Sequence, residues 1–303
     1  MTNVKLKTPE RISIHPSFAV LEEAYRLSSA SMAAPVPLVV VCPHAGRYFP
    51  DGFEDIIVAD LADLEEIDRR GDTFTDWLSM GAPNTGALQI VSNIAPAFLN
   101  VGRALDEAAE QHLYGDKGQG LVSAKTYHTG AAIYPEGRFP GTDEIEARIR
   151  RWYQPFHDRL EKIVEATKEK HGCCMVFDMH SCPQKSYVAG NISYEVILSD
   201  ASGRSCDPEI IEIAQNVAQS YGYRVGVNNP YTGGFITQKF GAHANRGTQS
   251  LQMEIVRPVY GLEDQGSIAI SNRSKFQGAQ YFTQTFIEEL ARYMRNRPHE
   301  LQL

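Results

Sequence analysis

Two apolar stretches of this chain run into histidine. Val176-Phe177-Asp178-Met179-His180-Ser181 reads as a buried strand that brings an Asp, a His and a Ser to its carboxyl edge. Pro37–Cys42 leads in the same way into Pro43-His44-Ala45-Gly46. Histidine is the commonest metal ligand, and open α/β sheets bind ligands at the carboxyl ends of their strands. Two strands that each deliver one His to one edge therefore describe a hydrolytic metal site. Residues 178 and 180 of a strand face the same side. Asp178 can then accept the proton on the second ring nitrogen of His180, or orient a neighbouring ligand. Ser181 completes that edge.

A catalytic zinc takes three protein ligands and keeps one position for water. Two His leave a carboxylate missing, and Asp72 or Asp76 can supply it. Four residues apart on a helix, they share a face. Asp72 at the presumed helix start is the preferred ligand, with Asp76 beside it. Glu254 lies in Leu251-Gln252-Met253-Glu254-Ile255-Val256, an otherwise apolar strand. Burial raises a carboxyl pKa, which suits a general base beside an activated water; the alternative is an ion pair with Arg257 or another Arg. Arg47, beside His44, and Arg103 are candidates for gripping a substrate carboxylate through two parallel hydrogen bonds. In Asn229-Pro-Tyr-Thr-Gly-Gly234, Tyr231 is an exposed aromatic, and Gly233 and Gly234 allow backbone to approach a substrate or another loop. Cys182, two residues after His180, raises a Cys–His nucleophile as a rival chemistry.

These residues need elements to hold them. Leu38–Cys42, Ala87–Val91, Ala97–Val101, Cys173–Met179, Tyr223–Val227 and Ser250–Val256 read as strands. Pro16–Ser31 carries a helical patch, and Leu61–Arg70 reads as a short helix. Asp72 is placed to cap a helix over Thr73–Met80. Ile145, Ile149, Trp152, Phe156, Leu160 and Ile163 recur every three or four residues between a capping Thr142 and a terminating Gly172. Pro155 should kink or split that helix. Pro208–Tyr221 and Lys275–Asn296 are further helices, and residues 104–141 read as long loops over the sheet edge. Strands alternating with helices predict α/β with a mixed, mainly parallel sheet. Residues 1–34 read as an amino-terminal extension and 35–303 as a single α/β domain.

The chain has 303 residues with a net charge of −8. That acidity disfavours nucleic acid and anionic membranes, which need a basic face. No apolar run reaches the ~18 residues that span a bilayer, and Met1–Lys7 has no apolar core behind its charges, so no signal peptide is expected. The five cysteines, 42, 173, 174, 182 and 206, are an odd number lying mostly in or beside apolar strands. They are expected as reduced thiols of a cytoplasmic protein. The expected partner is a small acidic molecule.

Six short motifs occur in one order: Pro43-His-Ala-Gly46, Asp72-x-x-x-Asp76, Arg148–His157 with its Trp-Tyr-x-Pro-Phe-His, Asp178-Met-His-Ser181, Asn229-Pro-Tyr-x-Gly-Gly-Phe-Ile-Thr237 and Leu251-Gln-Met-Glu254. Together they resemble the N-formylglutamate amidohydrolase (deformylase) family over roughly residues 38–290. The resemblance implies a phosphorylase/hydrolase-like α/β/α sandwich of three layers, akin to zinc carboxypeptidases and aspartoacylases. It also implies a single catalytic Zn2+ and a place in histidine degradation. Where the family usually has Asp-Leu-Asn-Arg, this chain has Asn100-Val-Gly-Arg103; where it often has Tyr before the motif His, this chain has Phe156. The first change leaves open another N-acyl amino acid as substrate. The expected reaction is cleavage of N-formyl-L-glutamate, or an analogue, at zinc held by His44, Asp72 and His180, with Glu254 as base and Arg103 on a carboxylate. The rivals are a non-catalytic ligand-binding protein on the same fold and a Cys182-dependent amide hydrolase.

Overall fold

The computed structural model describes residues 23–29, 32–53, 55–58, 71–105, 120–126, 130–186, 189–242, 247–262 and 270–296. In chain order the strands and helices are β1 (Tyr25–Ser28), β2 (Leu38–Cys42), α1 (Thr75–Leu78), β3 (Leu88–Ser92), α2 (Thr142–Arg148), α3 (Gln154–His171), β4 (Cys174–Cys182), β5 (Lys185–Ser186), β6 (Gly190–Asn191), β7 (Val196–Ser199), α4 (Pro208–Ser220), β8 (Val225–Val227), α5 (Phe235–Lys239), β9 (Thr248–Val256) and α6 (Arg273–Asn296). Seven strands form one sheet in the order β1-β3-β2-β4-β9-β7-β8. β3, β2, β4 and β9 are mutually parallel, β1 runs antiparallel to β3, and β7 and β8 oppose β9.

The central strands are buried on both faces, so they read as unbroken apolar runs. Every residue of β2, β4 and β9 is buried. One face packs Met175, Phe177, Met179, Leu251 and Met253 under α4 and α6. The other packs Val39, Val41, Cys174 and Val176 under α3 and the loops around Phe98 and Leu99. The result is the mixed, mainly parallel α/β architecture in three layers. On α6 the buried residues Ala279, Phe282, Thr283, Phe286, Ile287, Leu290, Ala291 and Met294 form one stripe at helical spacing.

Several local expectations are corrected. Ala97–Val101 is a turn, with Phe98 and Leu99 N–H both donating to the Ala95 carbonyl; its side chains other than Asn100 are apolar because the turn is buried, not because it pairs. Within Pro16–Ser31, residues 25–28 form an edge strand on β3 rather than a helix. Asp72 does not cap a helix: α1 begins three residues later, after Phe74 in a left-handed conformation. The helix over 142–172 starts from Gly141, not from a Thr142 cap. It passes through a π turn at Ile149–Tyr153 before Pro155, which sits in the first turn of α3. A π turn accommodates the hydrogen bond a proline removes. Gly172 ends α3 in the left-handed region at φ 76°, as expected. β7 was not read from the sequence. The expected helix over Leu61–Arg70 lies outside the described residues. Among the described residues, no helix is long and apolar enough to cross a membrane.

Candidate metal centre and active site

The parallel register does the first part of the assembly. β4 lies between β2 and β9, with His180 paired to Glu254 and Asp178 to Gln252. Two residues past the end of β2, the His44 carbonyl accepts a hydrogen bond from the Asp72 N–H at 2.8 Å. That backbone link carries Asp72, remote in sequence, to the carboxyl edge of the sheet.

The Asp72 Oδ2 atom lies 2.8 Å from His180 Nδ1 and 3.3 Å from His44 Nδ1. One ligand atom from each of the three residues falls within 4.8 Å of the others. The remaining ring nitrogens are held from behind. His180 Nε2 is 3.0 Å from Asp178 Oδ1, and His44 Nε2 is 2.7 Å from Asn100 Oδ1. Asp178 is itself fixed by the Thr237 hydroxyl, which donates to Oδ2 at 2.9 Å. Histidines that bind metal characteristically donate their other N–H to an oxygen in this way. Two Nδ1 atoms and a carboxylate aimed at one point, with both Nε2 atoms anchored, are a donor set suited to a divalent zinc-like ion.

The charges agree with that reading. Burial alone would raise the Asp72 carboxyl, but hydrogen bonds from His180 and His44 outweigh it and hold Asp72 well below the usual carboxylate range. Burial would lower His180, yet the Asp178 and Asp72 carboxylates raise it well above its ordinary value. Glu254 is 7% exposed. Burial pushes its carboxyl up to about 8, against the lowering effect of His180 and with Asp72 and Asp178 adding to the rise.

These groups open into a pocket of about 320 Å³ whose walls include His44, Asp72, Asp178, His180, Ser181, Glu254, Arg103, Tyr231, Gly233 and Gly234. A family sequence model described as N-formylglutamate amidohydrolase matches residues 36–261. The chain belongs to the N-formylglutamate amidohydrolase family. It is 26% identical over 230 residues to the N-formylglutamate deformylase of Pseudomonas putida, covering 74% of this chain and 82% of that one. Its fold matches the crystal structure of an N-formylglutamate amidohydrolase from Ralstonia eutropha JMP134 with a TM-score of 0.75 and 25% identity, covering 90% of this chain and 98% of the other. A gene product of Agrobacterium tumefaciens shares the fold at a TM-score of 0.65 and 16% identity, over 89% of this chain and 96% of its own.

The family's motifs acquire physical roles here. Tyr153 and His157 of the Trp-Tyr-x-Pro-Phe-His run clamp the segment that carries Arg103. The Tyr153 hydroxyl donates to the Arg103 carbonyl at 2.7 Å, and His157 Nε2 donates to the Val101 carbonyl at 2.8 Å. Burial lowers His157 to about 4 and so keeps it neutral. The Asn100-Val-Gly-Arg103 departure also gains a reason. Asn100 backs His44, and a Cβ on Gly102 would lie 2.5 Å from His44 Nε2. The backbone passes so close to that imidazole that a side chain at position 102 would require the ring to move. Gly233 sits at φ 112°, a conformation side chains rarely adopt, and its Cβ position is 3.0 Å from Thr237.

Not every expected residue converges. Asp76 lies on α1 and pairs with Arg26 of β1; burial raises its carboxyl, with Arg26 pulling the other way. Arg47 is not among the residues lining the pocket. Ser181 lines it, and its hydroxyl lies 3.0 Å from the Tyr260 hydroxyl, which also reaches the Thr73 carbonyl at 3.1 Å. Cys182 lines the pocket too, but both His180 nitrogens face carboxylates, leaving that imidazole no atom with which to activate a thiol. Sequence reasoning missed Asn100, Gln252 and Thr237 as contributors. Gln252 had a signal: it is a second polar residue two positions before Glu254, hence on the same face of an apolar strand.

Proposed function

We propose that this protein is a metal-dependent amidohydrolase that cleaves N-formyl-L-glutamate, or a closely related N-acyl amino acid, to formate and the free amino acid. The observation that carries this reading is the convergence of His44, Asp72 and His180 beside a buried Glu254 whose carboxyl is raised to about 8. A structural or purely ligand-binding site has no use for such a base. His44 and His180 through Nδ1, and Asp72 through its carboxylate, would hold a zinc ion. Once bound, the ion polarises the formyl oxygen and acidifies a water.

The chain's own groups do the rest. Glu254 accepts the proton of the attacking water and returns it to the departing nitrogen as the C–N bond breaks. Asp178 and Asn100 keep the two imidazoles turned so that Nδ1 faces the centre. Arg103 and Arg257, both on the pocket wall, supply positive charge for an acidic substrate, and a guanidinium matches a carboxylate's two oxygens. The loop Tyr231–Gly234 lines the same pocket.

The test combines metal analysis with turnover. Wild-type protein should hold one equivalent of zinc and hydrolyse N-formyl-L-glutamate in a panel of N-acyl amino acids, with activity lost to chelators. His44→Ala, His180→Ala and Asp72→Asn should lose the metal, whereas Asp76→Asn should keep it. Glu254→Gln should keep the metal and lose about 10²–10⁴-fold in kcat with KM little changed. Metal retained by both His variants would sink the assignment. Activity that ignores chelators but is abolished by alkylation of Cys182 would move the chemistry to the thiol.

A further inference from the structure

A carboxylate has two oxygens, and a general base takes the proton on one of them. Gln252 stands next to Glu254 on the same face of β9, 4% exposed and part of the pocket wall. Its amide has a fixed sense. Oε1 accepts a hydrogen bond from the Gly234 N–H at 2.7 Å, and the Thr237 hydroxyl lies 3.4 Å from the same atom. A backbone N–H can only donate, so the atom facing Gly234 must be the amide oxygen. The NH2 group is thereby turned towards Glu254, and Nε2 donates to Glu254 Oε1 at 2.9 Å.

We infer that Gln252 is the positioning residue of the general base, occupying Glu254 Oε1 with a donor and leaving Oε2 as the atom that takes the proton. This rests on the reading of Glu254 as base given above. A carboxylate oxygen already accepting an amide N–H in a buried site is the poorer proton acceptor of the two, and the same bond stops the carboxylate rotating. The far end of the amide is anchored on Gly234, at the end of the loop that carries Tyr231, Thr232 and Gly233 into the pocket. The base is thus aligned against the wall on which a substrate would rest, rather than only against its own strand. With Oε1 taken by Gly234 and Nε2 by Glu254, the amide of Gln252 acts through Glu254.

The inference is tested by Gln252→Met, which keeps side-chain length without the amide, and by Gln252→Glu, which keeps the shape and the acceptor for Gly234 but replaces the donor with an oxygen. Both should retain one equivalent of zinc with unchanged affinity and keep KM within about threefold. Both should lose kcat about 10- to 100-fold, the range spanned by one hydrogen bond to a charged group. The decisive measurement is a double-mutant cycle. In a Glu254→Gln background, Gln252→Met should cost less than about twofold more, because the residue through which it acts has gone. Equal losses in both backgrounds would make Gln252 merely structural and overturn the inference. So would a Gln252→Glu enzyme with wild-type kcat, which also decides the matter if Gln252→Met does not fold. If Glu254→Gln itself turns over normally, the base assignment fails. If Glu254→Gln is impaired and both Gln252 variants are not, only the present inference fails.

Discussion

His44 and His180 are alike in presenting Nδ1 to Asp72 but unlike in what stands behind them. Asp178 is an anion on His180, held in turn by Thr237, whereas the partner of His44 is the neutral amide of Asn100. Asn100 is 2% exposed, and its Oδ1 also accepts the Gly102 N–H at 2.9 Å, so its oxygen cannot be exchanged for its NH2 without losing two bonds. Its role is to keep the His44 proton on Nε2 and the ring at the correct angle. Asn100→Ala should therefore weaken zinc binding by about 10- to 100-fold, as loss of such a supporting group typically does. Competition titration with a metallochromic chelator measures it. Unchanged affinity would show that the tight passage of Gly102 over the ring suffices to hold it. From the sequence, Asn100 was visible only as a departure from a family pattern. Its function depends on a buried contact across 56 positions of chain, which spacing does not encode.

At the scale of elements, the site hangs from three parallel strand ends and one helix clamp. β2, β4 and β9 were legible because strands buried on both faces must be continuously apolar, and a polar residue in such a run stands out. The Ala97–Val101 turn has the same composition and misled for that reason: burial, not pairing, selects its side chains. Asp72 misled in the opposite sense. An Asp before Thr-Phe-Thr looks like a helix cap, but its carboxylate does more as a partner of two imidazoles than as an acceptor for a four-residue helix. The sheet itself is held under α6, where Phe286, 1% exposed, packs against Phe177 of β4 with ring centroids 5.1 Å apart. Phe286→Ala should cost about 3–5 kcal/mol of stability, from lost transfer energy and the cavity left behind. Denaturant unfolding measures it. Because Phe177 faces away from Asp178 and His180, zinc affinity of the folded variant should be unchanged; a parallel loss of both would mean that this packing sets the ligand geometry.

At the scale of the whole molecule, the centre concentrates Asp72, Asp178 and Glu254 in one buried place, and folding carries that electrostatic cost as a dependence on pH. Glu254 has a folded pKa raised from its ordinary 4.5 to about 8. Its protonated form favours the folded state, so its contribution is fully present below about 4.5 and is lost as pH rises through about 8. Asp72 is shifted the other way: its contribution is present above its ordinary 3.8 and disappears as pH falls through the lower folded value. Metal-stripped Glu254→Gln cannot ionise at this position. Its stability relative to metal-stripped wild type should therefore be similar near pH 4 and increasingly favourable from pH 5 to pH 9. Urea titrations of both proteins across that range check the sign. A relative stability that falls with pH would show that Glu254 is a stabilised anion, paired as in a structural ion bridge.

The sequence alone determined the α/β class, the central strands, the long helices, the presence of His44 and His180 at strand ends and that of Glu254 within an apolar strand. These follow from periodicity and burial, which act within a few residues. Its ordered motifs also carried the family. The tertiary structure decided which carboxylate meets the two imidazoles, because Asp72 reaches them through a backbone bond to His44 while Asp76 turns to Arg26. It also decided which polar groups stand behind His44, His180 and Glu254. Asn100, Thr237 and Gln252 act through single hydrogen bonds to residues distant in the chain or on another element, and such bonds exist only once the sheet register and the packed loops have fixed both partners.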